Sequence, residues 1–217
     1  QLRRPAPAES VRPIAPYLPV MVTKRYSVLP RLEALAVYKG ERPCTNEDLI
    51  RNAAYCWSPM SADEILKKTG IQQRVYTELD LDHIALLAAR RALEKSGRRA
   101  EEIGAVIFCS CTSVKMMPSL ATWLSGQLGL FQTHASVDMV AACAGLPYGL
   151  SEAVRLLQEV ERPVLVVCGE KFSDKIGTVR TSRMIFGDGA AALVLAPAPS
   201  GAASDIVLYV KQTVTGA

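Results

Sequence analysis

Two spacing regimes of apolar residues share this chain from Arg31 onward. Short continuous apolar runs predict buried strands, and apolar residues recurring every three or four positions predict amphipathic helices. The first kind comprises LEALAVY (32–38), AVIFCSC (105–111), ASVDMV (135–140), PVLVVCG (163–169), GAAALVLAP (189–197) and DIVLYVKQTV (205–214), the last two as adjacent strands. Helices are predicted from Thr45, Asn46, Glu47 and Asp48 onward, and over 61–68, 80–97, 118–129 and 144–159. Their ends carry matching chemistry. Ser61 suits an N-cap, Pro118 a first-turn position, and Gly70, Gly97 and Gly129 suit C-terminal stops.

Strands alternate with helices until the last pair, and the strands read as continuous apolar runs. This predicts an α/β fold with a mixed, mainly parallel sheet, helices on both faces and an antiparallel edge from the closing strands. Residues 1–29 stand apart. Pro5, Pro7, Pro13, Pro16 and Pro19 lie among scattered arginines there, and the segment reads as an extended arm or a tail, with Tyr17 to Val22 able to add one strand. The expected division is therefore a proline-rich extension over 1–29 and one α/β unit over 30–217.

Composition removes several function classes. A net charge of +4 with 6% aromatic residues gives neither the basic surface nor the stacking platform of a nucleic-acid binder. No apolar run approaches the roughly 18–20 residues of a membrane span. QLRRPAPAES has no apolar stretch behind its arginines and does not read as a signal peptide. Most of the 6 cysteines lie in apolar runs, as reduced core thiols do, so a cytoplasmic setting is expected. Cys109 and Cys111 are expected to share one face of a strand. With only 2 histidines and no second cysteine cluster, no metal site is expected. His83 is expected to face solvent, and His134 to lie at the far end of the strand that leads to Cys143.

One junction concentrates chemistry. Val137 to Val140 end a strand, Ala141 and Ala142 make a turn of small residues, and Cys143 opens a long apolar helix through Ala144 and Gly145. Small neighbours leave room beside the sulfur. The positive end of a helix favours a thiolate, which can attack a thioester carbonyl and hold an acyl group. The strand–turn–helix form parallels a nucleophile elbow. A buried, inert packing cysteine is the competing reading.

AACAGLPYGL around Cys143 resembles the active-site signature of β-ketoacyl-acyl-carrier-protein synthase III, in the thiolase-like superfamily. Three further segments resemble that family's motifs in the same order: Lys68-Thr69-Gly70-Ile71-Gln72-Gln73-Arg74, Met117-Pro118-Ser119, and Ile185-Phe186-Gly187-Asp188-Gly189-Ala190-Ala191. The resemblance spans about residues 31–217 and implies the first half of a thiolase-like layered fold. It implies an acyltransferase or condensing enzyme of fatty-acid or polyketide-type synthesis. Such an enzyme would need no cofactor beyond its acyl-coenzyme A or acyl-carrier-protein thioester substrate. By position, Cys143 would be the acylated nucleophile and Arg180 would pack on the coenzyme A adenine. Met117 would reach across a dimer to close the partner's acyl pocket, and Phe186 would form an aromatic wall.

The departures matter as well. Glu64 stands where the family has the tryptophan of the adenine clamp, and Lys68 stands for a neighbouring arginine, keeping its charge without its planar fork. Trp57 is a candidate to replace that tryptophan. The family's catalytic histidine and asparagine belong to a second, homologous half, and neither His83 nor His134 matches that histidine. The chain is thus expected to meet a second half, in the same protein or another chain, across an apolar face. A fragment, one subunit of a split enzyme, and a non-catalytic partner of an active ketosynthase are the three open readings. Asp188 is expected to serve backbone hydrogen bonding, with Gly187 and Gly189 at positive φ. Arg90, Arg91, Arg98 and Arg99 form a basic cluster that suits an acidic carrier protein or a solvated helix end. Trp123 is expected in the core.

Overall fold

The computed structural model describes residues 26–51, 60–113, 115–175 and 181–202. In chain order the elements are β1 (Pro30–Lys39), β2 (Arg42–Thr45), α1 (Asn46–Arg51), α2 (Ala62–Thr69), β3 (Gln73–Tyr76), α3 (Leu81–Ser96), β4 (Ala105–Cys109), α4 (Leu120–Leu128), β5 (Ala135–Met139), α5 (Gly145–Val160), β6 (Val164–Lys171) and β7 (Asp188–Pro197). The segment expected as a strand over 205–214, the proline-rich residues 1–25, and Cys56, Trp57 and Arg180 lie outside the described residues.

Five strands form one sheet in the order β1-β7-β6-β4-β5. β5, β4 and β6 run parallel, while β7 pairs antiparallel with both β6 and β1. The sheet is mixed and α/β, as the alternating pattern requires, and its antiparallel side comes from β1 and β7. β2 and β3 make a separate antiparallel pair that the apolar pattern did not announce, because RPCT and QRVY are short and mostly polar.

Helices cover both faces. On one face, Ala85, Ala88, Ala89 and Ala92 of α3 and Leu120, Ala121 and Leu124 of α4 pack on Val106, Phe108, Leu165 and Val167. On the other, Ala153, Val154, Leu156 and Leu157 of α5 pack on Ala105, Ile107, Val164 and Val166. The small residues of α3 allow it to lie close to the sheet, where it contacts β1, β6 and β7. α5 reaches β4, β6 and β7, and Leu32, Leu35 and Val37 of β1 stay exposed on its side of the sheet.

The helix ends follow their sequence signals. Gly70, Gly97 and Gly129 adopt φ values of 70°, 67° and 69° at three C-terminal caps. Ser61 forms a full capping box: the Glu64 N–H donates to its Oγ at 3.2 Å, and the Ser61 N–H donates to Glu64 Oε2 at 2.8 Å. Ser61→Ala is expected to lower stability by about 1 kcal/mol, read by thermal unfolding. α4 departs from expectation. It starts at Leu120, with Ser119 as the cap, so Pro118 precedes the helix and joins Met117 through a cis peptide bond. The start is displaced because the Asp138 carboxylate takes the amides of Leu120 and Ala121, at 2.8 and 2.7 Å.

Candidate active site

The elbow around Cys143 is built from strand, turn and helix. β5 ends at Met139, Ala142–Ala144 make a 3-10 turn, and α5 begins at Gly145. Ala142 holds φ at 44°, a left-handed conformation that costs a non-glycine residue roughly 1–2 kcal/mol. Cys143 follows it directly and is exposed. Strain of this kind persists where surrounding contacts over-determine it.

Those contacts come from β4 and β6. A Cβ at Gly149 would lie 2.7 Å from Cys109 Sγ and 3.2 Å from Val166 Cγ1, and one at Gly145 would lie 3.2 Å from Cys109 Cβ. Two glycines one helical turn apart therefore seat α5 directly on the sheet, and the thiol of Cys109 fills the space that their side chains would occupy. The Ser110 amide donates to the Met139 carbonyl at 3.2 Å and ties the strand ends together below the turn.

Cys109 faces Cys168 in register across β4 and β6. The hydrogen bond with Cys109, followed by burial, pushes the Cys168 thiol up and keeps it protonated. These two thiols are packing groups. Cys111 behaves differently from expectation. β4 stops at Cys109, so Cys111 lies on the following loop and is exposed, and the two cysteines do not share a strand face. The loop turns because Glu170 draws it toward β6: the Cys111 amide donates to Glu170 Oε1 at 2.8 Å, and Thr112 Oγ1 donates to Oε2 at 2.5 Å.

Asp138 builds the adjoining wall. Its two oxygens hold the first amides of α4, and so fix where the chain of Met116, Met117 and Pro118 ends. Asp138→Ala removes two hydrogen bonds to a charged acceptor at a helix N-terminus. It is expected to cost about 2 kcal/mol in a denaturant titration, with Asp138→Asn costing less. Met117 itself is 93% exposed, as is Met116.

Phe186 stacks on Phe172, with ring centroids 4.2 Å apart and planes at 16°. Phe172 opens the 3-10 turn after β6 and was not foreseen, since nothing in its local pattern marks it. Lys68 lies in the last turn of α2, exposed, with its Nζ 3.3 Å from Met60 Sδ. Glu64 turns its carboxylate back onto the N-terminus of its own helix, which gives that acid a capping role.

The remaining expectations sort by their contacts. Asp188 is buried and accepts from the amides of Thr77 and Ser173 at 3.1 and 3.0 Å, the backbone role foreseen for it. Gly187 and Gly189 are not at positive φ, which corrects the expectation. Gly187 is needed for close approach, since a Cβ there would lie 2.7 Å from the Val75 carbonyl oxygen. His134 sits before β5, at its far end from Cys143, and bonds Glu159 at 3.0 Å. His83 is largely exposed and pairs with Asp82. Asp80, Asp82 and His83 are the only described acid–histidine–cysteine group close enough for shared ligation, and the Lys115 ammonium pairs with Asp82 there. Trp123 is half-buried at the core margin, with the Lys115 ammonium 5.3 Å from its ring centroid. The basic cluster is largely engaged: Arg98 holds Glu33 at 2.5 and 2.8 Å, Arg99 pairs with Glu102, and Arg91 Nη1 donates to the Val37 carbonyl at 3.0 Å. No described helix is long and apolar enough to cross a membrane.

Comparison with known proteins adds to this geometry. Solved structures share the fold. The priming β-ketosynthase of a polyketide biosynthetic pathway superposes with a TM-score of 0.72 and 28% identity, over 83% of this chain and 53% of that one. 3-Oxoacyl-[acyl-carrier-protein] synthase III from Aquifex aeolicus superposes with a TM-score of 0.71 and 30% identity, over 78% of this chain and 54% of that one. The fold is that of the thiolase-like condensing enzymes.

Within that class the likeness is to one branch. Residues 137–212 match the family described as 3-oxoacyl-[acyl-carrier-protein] synthase III. The β-ketoacyl-[acyl-carrier-protein] synthase III of Kocuria rhizophila is 34% identical over 171 residues, which cover 77% of this chain and 46% of that protein. The Geobacillus kaustophilus protein of the same name is 32% identical over 168 residues, covering 76% and 52%. The chain is similar to β-ketoacyl-acyl-carrier-protein synthase III, and it spans about half the length of the curated relatives it matches.

Proposed function

We propose that this chain is the cysteine-bearing, N-terminal half of a synthase III-like condensing enzyme, with residues 30–217 forming that half. Cys143 takes an acyl group from a coenzyme A or carrier-protein thioester and passes it to a malonyl-type or other acceptor. The observation that carries this reading is the elbow: an exposed thiol at the N-terminal end of α5, behind a strained Ala142, on a helix seated by two glycines.

In the acylation step the Cys143 sulfur forms a bond to the thioester carbonyl carbon. The carbon–sulfur bond of the donor breaks, and the donor thiolate leaves and takes the proton that the Cys143 thiol gives up. No cofactor takes part. Phe186 walls the space for the acyl chain, Met117 closes the partner's acyl pocket across a dimer, and Lys68 and Arg180 supply cations for the donor.

Decarboxylative condensation needs groups to stabilise the carbanion, and the histidines of this chain stand elsewhere. The second thiolase-like half supplies them, from the same protein or a companion chain. Leu32, Leu35 and Val37, exposed beside α5, give that half an apolar surface to cover. A dimer is supported by the two sheet edges. The Leu35 and Val37 carbonyls of β1 are capped by Lys95 and Arg91, whereas β5 has β4 as its only described neighbour and lies next to exposed Met116, Met117 and Val140. A carrier protein is the natural acyl partner of such an enzyme, and a cytoplasmic setting suits its unpaired thiols.

The test is carbon dioxide release from a malonyl thioester after acyl loading. The chain combined with a histidine- and asparagine-bearing second half should release it, and the chain alone should not. Release at equal rates with and without the second half would overturn the division of labour. In a non-catalytic partner of an active ketosynthase, Cys143→Ala would leave the activity of the complex unchanged.

A further inference from the structure

We propose that Glu170 is a positioning residue that keeps the neighbouring Cys111 thiol out of competition with Cys143, so that a single thiol receives the acyl group. The proposal rests on the reading of Cys143 as the nucleophile. It starts from an oddity: two exposed cysteines stand at the same end of the sheet. Cys111 lies two residues beyond Cys109, and Cys143 lies two residues before Gly145, which packs on Cys109. A second exposed thiol thus stands close enough to Cys143 to feel its charge.

Glu170, the penultimate residue of β6, lies next to that loop and is fully occupied by it. Oε1 accepts the Cys111 amide at 2.8 Å, and Oε2 accepts Ser110 Oγ at 3.2 Å and Thr112 Oγ1 at 2.5 Å. Ser110 and Thr112 are buried, and Thr112 Oγ1 also accepts the Lys171 amide at 3.0 Å, so the loop is held from both sides. A carboxylate is the one side chain that accepts all three donors and also opposes a thiolate beside them.

Among the described residues, the titratable groups that act on Cys111 are Glu170 from β6 and Cys143 from the 3-10 turn. The cations nearest along the chain are engaged elsewhere, Lys115 with Asp82 and Lys171 with Asp174. Desolvation comes first, then hydrogen bonding to Glu170 and its charge, then the charge that Cys143 carries as a thiolate; together they push the Cys111 thiol up. Because the thiolate is the reactive form, a raised thiol reacts more slowly at neutral pH.

The experiment measures iodoacetamide alkylation of Cys111 against pH, mapped by peptide mass spectrometry in a Cys143→Ser background. Glu170→Gln is expected to raise Cys111 alkylation at pH 7.5 by about tenfold and to move its midpoint down by about one pH unit. Glu170→Asp, which keeps the charge, should stay near the parent. With Cys143 restored, Glu170→Gln should carry acyl adducts on both thiols. Unchanged Cys111 alkylation in Glu170→Gln, with an unchanged circular dichroism spectrum, would overturn the proposal. If that variant melts early, the parent decides: a Cys111 midpoint above that of an ordinary thiol supports the proposal, and one at or below it overturns it. The alkylation titration needs no acyl transfer, so failure of Cys143 to load would sink the proposed function without touching this result.

Discussion

Cys143→Ala is expected to abolish acyl loading and all condensation by the assembled enzyme, while the chain keeps its fold. The side chain is exposed, so its removal opens no cavity, and stability should stay within about 0.5 kcal/mol of the parent. Among the described cysteines on β4, β6 and the loop after β4, the chemistry has no substitute. Cys109 and Cys168 are buried or half-buried and hydrogen-bonded to each other, and Cys111 is held as a thiol. Rate and stability should thus separate completely: single-turnover acylation falls below detection while the melting temperature holds. A variant that loses both would indicate a packing cysteine. One that keeps acyl transfer in the complex would mark the chain as a partner subunit.

Gly149→Val should produce the largest loss of stability near the site. Its first side-chain carbon would meet Cys109 Sγ at 2.7 Å and Val166 Cγ1 at 3.2 Å, and the added methyl groups would crowd the same β4–β6 face. Overpacking of a tight core costs about 1–3 kcal/mol, and relief requires α5 to lift from the sheet. Lifting α5 moves Cys143, and a displacement of about 1 Å can cost roughly 100-fold in rate. The variant is therefore expected to lose both stability and acylation rate. A paired test isolates the cause. Gly149→Ala alone should be impaired, and adding Cys109→Ala, which removes the clashing sulfur, should recover part of the loss through a favourable coupling. Equal and additive effects of the two changes would show that the helix seat does not set the position of the nucleophile.

Much of this arrangement was legible because local chemistry and tertiary demand coincide. Ser61, Gly70, Gly97 and Gly129 mark helix ends by backbone requirements that no tertiary contact overrides. The buried strands β4 and β6 announce themselves because both their faces are covered by helices. Cys143 stands out by its place between an apolar strand and an apolar helix.

What stayed hidden depends on partners far along the chain. Asp138 reaches back 18 residues to cap α4 at Leu120, and so displaces Pro118 from the first turn. Glu170 bends the loop at Cys111 from 59 residues away and ends β4 early. Phe172 finds Phe186 only once the turn after β6 is folded. Gly187 looks like a turn glycine but is required by the Val75 carbonyl of β3, a strand too short and polar for its pattern to reveal.

The most direct measurement is peptide-resolved mass spectrometry of the protein after brief exposure to an acyl thioester. One acyl group per chain, carried on the peptide containing Cys143, is the predicted result. An adduct confined to Cys111 or another cysteine, or no adduct when the second half is present, would contradict the account.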